Sequence, residues 1–269
     1  MRLAAGLLLA LASTAALSSG FYLQHAASGR LPALSVRHPL ASLAALFTDR
    51  RWLVGFVTGL GGWGLYIAAL DLAPISLVQA TSAGGIGLIA LLVRAGGVPL
   101  SRREWVAVTV SVCGLLLLGL SLAGGVRHAA MPGWLQPLGW VVVSAMVAVV
   151  AAFPAARVLR AGAGLALAAG LMYSAGDVAT KAAVGGIAPV YAFILVLAAC
   201  HGLGFVCIQL SFQRGTALAT AGVSTLLTNL LPILAGVIIF GEYVPGGAPG
   251  VLRELGFAGA VAGAVLLGR

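Results

Sequence analysis

The chain has 269 residues, 61% of them hydrophobic and 8% charged, and its mean hydropathy is +1.10. A soluble domain carries about a quarter of charged residues, so this composition excludes an ordinary soluble enzyme or binding module and implies a polytopic membrane protein. The formal net charge of +9 does not point to nucleic acid, because the basic residues stand singly or in pairs between apolar runs, the pattern that sets orientation in a bilayer.

Spans of about 20 residues can be read in chain order. The first apolar run, Leu3 to Leu23, follows a single arginine. It is long for a signal-peptide core and lacks a cleanly placed small-x-small site, so it reads as a span, with cleavage as the alternative. His25 to Arg51 is polar by the standards of this chain, and an interfacial helix is expected over Leu40 to Phe47. Spans are then expected over Trp52 to Leu72, Pro74 to Val93, Trp105 to Gly125, Trp134 to Phe153, Leu165 to Val184, Pro189 to Phe212 and Thr216 to Phe240, with a short last one from Leu255 to Gly268. Cys113, Cys200 and Cys207 all fall in apolar runs without metal-ligand spacing and read as reduced, buried packing residues.

Nine spans with the N-terminus outside put Arg30, Arg37, Arg50, Arg51, Arg94, Arg102, Arg103, Arg157, Arg160, Arg214 and Arg269 inside. Only Arg2, Arg127, Lys181 and Arg253 then lie outside, the asymmetry expected of an integral protein of the plasma membrane. Three weak markers recur in the same order in both halves. Val98-Pro99 with Arg103-Glu104 matches Val244-Pro245 with Arg253-Glu254, Gly62 to Gly64 matches Gly202 to Gly204, and Ser18 to Ala27 matches Ser174 to Ala183. The division is a first membrane repeat over 1–126, a linking span over 127–160 and a second repeat over 161–269. Because four is even, the extra span turns the second half over and gives an inverted repeat.

The stretch from Leu165 to Val184 holds two charges, Asp177 and Lys181. An ionisable group at membrane depth costs several kcal/mol and usually faces a protein interior or wet cavity. The spacing of four puts both on one helix face, where they either serve a pathway or neutralise one another. In the repeat overlay Lys181 falls on His25 and reads as structural, whereas Asp177 falls on Phe21 and has no counterpart. His201 lies at a similar depth, so the two form a proton-coupling pair, or the imidazole is neutral and bonded to a neighbouring helix.

The eighth span carries Thr225, Thr228 and Asn229 ahead of Pro232, which removes a backbone donor and is expected to kink the helix. Asn229 is placed nearest the substrate, and the hydroxyls either line a cavity or satisfy backbone carbonyls. In the third span Gln79 precedes Gly84 and Gly85, which permit close helix approach or a local break. Gln209 is a further cavity candidate, and Trp63, Tyr66, Tyr173 and Tyr22 form an aromatic wall, a core or an interfacial belt. Asp71 and Glu242 sit at outer helix ends. An aspartyl protease needs two carboxylates sharing a proton, and Asp177 has no second acid at its depth, so no enzyme activity, cofactor or resident metal is expected.

The motifs SSGFYLQHAA in the first span, GWGLYIAALDLAPISLVQA across the second and third, and TALATAGVSTLLTNLLPILAGVIIFGE in the eighth resemble the drug/metabolite transporter superfamily of EamA-like proteins. Within it they resemble the nine-span branch of NIPA-type magnesium transporters. The resemblance implies an all-α bundle, a central cavity between inverted halves, and alternating access. The first half departs from the pattern in having Gly96-Gly97 where the second has Gly241-Glu242. Three readings stay open: a secondary transporter of a small organic solute or drug-like compound with proton coupling as an option, a magnesium or divalent cation transporter, and a non-transporting membrane scaffold. The expected partners are the bilayer and a small-molecule or ion substrate, with a homodimer allowed.

Overall fold

The computed structural model describes residues 2–32, 44–122, 132–153, 162–242 and 247–268. Within them the regular elements are α1 (Arg2–Ser28), α2 (Arg50–Leu72), α3 (Ile75–Thr81), α4 (Gly85–Ala95), α5 (Arg102–Leu122), α6 (Leu135–Ala152), α7 (Ala163–Val184), α8 (Val190–Phe212), α9 (Val223–Ile238) and α10 (Ala248–Gly268). A 3-10 turn, Ser82–Gly84, joins α3 to α4, and a π-helical turn, Leu218–Gly222, leads into α9. A chain this apolar has to satisfy its backbone internally, which helices do residue by residue.

Seven stretches among the described residues are long and apolar enough to cross a membrane: Arg2–Ser28, Arg50–Leu72, Leu77–Ala95, Leu135–Ala152, Val190–Phe212, Leu218–Ile238 and Ala248–Leu267. In α7, glycines, Ser174, Asp177 and Lys181 dilute the apolar run. That helix is instead surrounded by protein, with Ser174, Ala175, Gly176, Asp177, Val178 and Ala179 all buried in succession. A helix enclosed on every side needs no lipid-compatible face.

Several expectations are corrected. The last helix is not short but runs 21 residues from Ala248, because Arg253 and Glu254 sit in its first turns rather than in a loop. Helix α9 continues through Pro232, and the irregular backbone lies a few residues earlier, in the π-helical turn. Cys113 is exposed on α5 rather than buried. The interfacial helix expected over Leu40 to Phe47 falls outside the described residues up to position 43, and a single helical turn follows at 44–46.

Helices α1 and α2 form one intimate pair, α7 and α8 another, and α5 packs along α10. Without a hydrophobic drive between helices in lipid, such pairs depend on small residues that let backbones approach. A Cβ added to Gly20 of α1 would lie 2.7 Å from the Gly55 carbonyl oxygen and 3.0 Å from the Gly59 nitrogen of α2.

Polar contacts mark the two ends of the bundle. At one end the His25 ring meets the Gly215 carbonyl at 3.1 Å, Ser28 donates to the Phe212 carbonyl at 3.3 Å, and Ser211 donates to the Gly162 carbonyl at 2.9 Å. This end carries Arg30, Arg50 and Arg214. At the other end Lys181 donates to the carbonyls of Leu70 (2.8 Å) and Ala73 (3.2 Å), and Glu242 accepts the Ile75 N–H at 2.9 Å. The turn between α2 and α3 is thus fastened to the ends of both α7 and α9.

Candidate functional site

A cavity of about 410 Å³ opens among α1, α2, α3, α7, α8 and α9. Its position follows from the fastenings just described. It is lined along α2 from Phe56 to Tyr66 and along α1 from Thr14 to Gln24, and it reaches Phe47 at the arginine-rich end. Toward the opposite end it stops short of the Lys181 and Glu242 contacts.

Asp177 is its charged centre and is only 3% exposed. The Gln79 amide, carried on α3 just before the 3-10 turn, donates to Asp177 Oδ2 at 3.1 Å and to the Tyr66 hydroxyl oxygen at 2.6 Å. One amide on α3 therefore ties the Tyr66 hydroxyl of α2 to a carboxylate that belongs to α7.

His201 approaches from α8, its Nε2 lying 3.6 Å from Asp177 Oδ1. Its Nδ1 meets the Leu197 carbonyl at 2.9 Å. A carbonyl only accepts, so Nδ1 carries the hydrogen. Nε2 then faces the carboxylate either as a lone pair, which requires the acid to be protonated, or as N–H⁺, which makes an ion pair. The imidazole sits against the Trp63 ring, with centroids 5.1 Å apart, and against Tyr173 at 5.8 Å. Trp63 Nε1 is buried without a hydrogen-bond partner.

The α9 candidates divide. Thr228 donates to the Ser224 carbonyl at 2.9 Å, and the Asn229 amino group donates to the Thr225 carbonyl at 2.7 Å. Both side chains line the cavity; the Thr228 hydroxyl hydrogen and one Asn229 amino hydrogen are spent on their own helix, leaving the second amino hydrogen and the carbonyl oxygen of Asn229 for other use. The Thr225 hydroxyl is buried, lines the cavity and has no partner among the described residues. Gly84 lies exposed in the 3-10 turn, whereas Gly85 packs so closely on α1 that a Cβ would sit 3.1 Å from Ser18 Oγ.

Gln209 is not part of the lining. It accepts from Trp52 Nε1 at 3.0 Å and donates to the Gln24 side-chain oxygen. Gln24 does line the cavity, as do Phe56 and Phe205, and none of the three stands out in the sequence. Gln24 occurs inside a quoted repeat motif, and that is the one signal that could have drawn attention to it.

Lys181 does not neutralise Asp177 despite its spacing. Among the described residues the ion-pair contact of Asp177 is with His201, and the Lys181 ammonium caps two carbonyls at the far end. Hydrogen bonds from a charged donor are worth about 1.5–3 kcal/mol each. Lys181→Met is therefore expected to lower the melting temperature in detergent while leaving substrate affinity within about twofold. Loss of affinity at unchanged melting would move Lys181 into the site.

No family model matches the chain, and no solved structure matches it. Over 123 residues it is 32% identical to a protein of Arabidopsis thaliana named "Probable magnesium transporter NIPA9", an alignment covering 45% of this chain and 34% of that protein. The chain thus spans about a third of the length of the curated relative it matches. Its apolar helices make it an integral membrane protein, similar over part of its length to a curated transporter.

Proposed function

We propose that the chain works as a membrane transporter, that the Asp177 cavity is its substrate site, and that the substrate is magnesium. One observation carries this reading. A buried carboxylate faces a cavity with one amide donor and one histidine around it, and among the described residues no lysine or arginine pairs with it. A charge so placed costs several kcal/mol unless it is compensated, and a mobile cation supplies the compensation. Magnesium follows from the relative's name and suits a site with a single acid, because the ion keeps several waters and uses one or two carboxylates. Six waters at about 30 Å³ each occupy roughly 180 Å³, which the cavity holds. The Thr225 hydroxyl and the Asn229 carbonyl oxygen offer further oxygen donors.

The same proposal gives the chain nine spans, with α5 and α7 crossing as well. It divides them into repeats over 1–126 and 161–269, joined by α6 within 127–160, as in EamA-like transporters. Three features support it. The pairs α1–α2 and α7–α8 are equivalent in order, and Gly20 and Gly176, which coincide in the overlay, both lie at the crossing of their pair. The third span is interrupted by a 3-10 turn and the eighth opens on a π-helical turn, and the two pack on each other, as do the fourth and ninth. The arginine-rich end is taken as the inside, so the cavity opens inward in this conformation.

A second reading, proton-coupled transport of an organic solute, is favoured by the aromatic lining and by the contact of His201 with Asp177 at 3.6 Å. Reconstitution separates the two. Proteoliposomes loaded with a magnesium-sensitive dye are expected to show protein-dependent magnesium entry. Proton movement driven by an organic solute, with no magnesium entry, would transfer the function to the second reading, and absence of both would sink transport.

A further inference from the structure

The end of the cavity opposite Asp177 is built with the reverse polarity. The Trp52 indole can only donate, so the Gln209 atom 3.0 Å away is its oxygen. The Gln209 amino group is then the donor to Gln24, which must present its own oxygen in return. What remains of Gln24 to line the cavity is its amino group. That nitrogen lies 3.8 Å from where a Cβ on Gly59 would sit, in a residue only 4% exposed. The orientation of the Gln24 amide is thus set by a tryptophan two side chains away, on a different helix.

Gly59 and Tyr66 are seven residues apart on α2, roughly 10 Å at 1.5 Å per residue. Helical side chains lean toward the N-terminus by about a turn, which brings the Tyr66 hydroxyl and Asp177 to roughly 5–10 Å from the Gln24 amino group. Of the aromatic lining, Trp63 stands between the two poles, and Phe56 and Phe205 lie against one another at the Gln24 end. A hydrated magnesium ion satisfies the carboxylate pole alone, because coordinated waters point their hydrogens outward and offer nothing to an N–H donor.

We propose that the cavity also takes an organic ligand that spans both poles: a cationic group on Asp177 and a hydrogen-bond acceptor, a carboxylate or carbonyl, on Gln24. The inference rests on the cavity being the substrate site, and it adds a ligand class to the magnesium ion. Such a ligand has an apolar middle of three to seven methylene groups that stacks on the aromatic wall.

The probes are ω-amino acids from 4-aminobutyrate to 8-aminooctanoate and the diamines of matching length, titrated calorimetrically into the purified full chain. The diamines keep the cation and replace the acceptor with a donor. The wild type is expected to bind one chain length of amino acid about tenfold tighter than its diamine. Gln24→Met removes the donor and should abolish the preference. Gln209→Glu leaves the cavity lining untouched but turns the Gln24 amide over, because the new carboxylate can only accept, and should reverse the preference toward the diamine. Melting curves check that each variant folds, and either variant tests the idea. Equal binding of amino acid and diamine by the wild type, or a preference unmoved by both substitutions, would overturn it. Magnesium entry without amino acid binding would overturn the inference and leave the magnesium reading standing. Binding in the expected pattern without magnesium entry would do the opposite.

Discussion

Asp177→Asn is expected to cut magnesium entry into proteoliposomes at least tenfold while the protein melts at or above the wild-type temperature. The two halves of that expectation come from the same geometry. Asparagine keeps the shape of the side chain and an oxygen for the Gln79 donor, so the contact between α3 and α7 survives. Removing a buried charge whose ion-pair contact among the described residues is a histidine, with no lysine or arginine paired to it, relieves a desolvation cost, which leaves stability unchanged or raised. What is lost is the Coulomb attraction for the ion. Two unit charges 4 Å apart are worth about 4 kcal/mol at an effective dielectric of 20, and only about 1.4 kcal/mol is needed for a tenfold change. Entry within twofold of wild type would take Asp177 out of the mechanism.

The charged and strongly polar part of this site can be read from the chain, and the reason is energetic. An acid, an imidazole and an amide at membrane depth are each costly enough to need partners, so Asp177, His201 and Gln79 announce themselves. Their distances apart in sequence hide the fact that they meet; α8 packs along α7, and α3, packed on α9, reaches Asp177 through the Gln79 side chain. Lys181 was legible as structural only through the overlay on His25, and the structure places its ammonium on two carbonyls rather than on Asp177.

What stayed hidden is what tertiary contacts decide. Gln209 looks like a cavity residue, but the Trp52 indole needs an acceptor and holds it back from the lining. Phe56 and Phe205 are indistinguishable in sequence from lipid-facing residues. One backbone break, the 3-10 turn at Ser82–Gly84, falls where the adjacent Gly84 and Gly85 allow it, whereas the other lies away from Pro232. Pro232 costs α9 one hydrogen bond without ending the helix, and the π-helical turn at Leu218–Gly222 follows no local propensity. The last helix was shortened in the reading because Arg253 and Glu254 look like loop, whereas charged side chains at a span end can reach toward water while their stems stay in the helix.

Gly114→Ala is expected to lower the melting temperature in detergent clearly, by a free energy of about 1–3 kcal/mol, the usual cost of overpacking. Its sign is the argument. In a helix interior alanine is about 1 kcal/mol better than glycine, so if Gly114 were a loose spacer the substitution would stabilise. Its Cβ, however, would lie 2.6 Å from the Ala260 nitrogen, 2.7 Å from the Gly256 oxygen and 2.9 Å from the Gly259 carbonyl carbon. All three are backbone atoms of α10, and none can rotate aside, so α5 and α10 must separate along their whole contact. Gly61→Ala and Gly64→Ala are the controls, because no other atom lies within 4 Å of a Cβ at either position; both should be neutral or stabilising. No residue of α5 or α10 lines the cavity, so ligand affinity in Gly114→Ala is expected to hold at temperatures where the protein stays folded. Stabilisation by Gly114→Ala would mean that α5 and α10 are not in backbone contact, and would remove the pairing of fourth and ninth spans from the case for an inverted repeat.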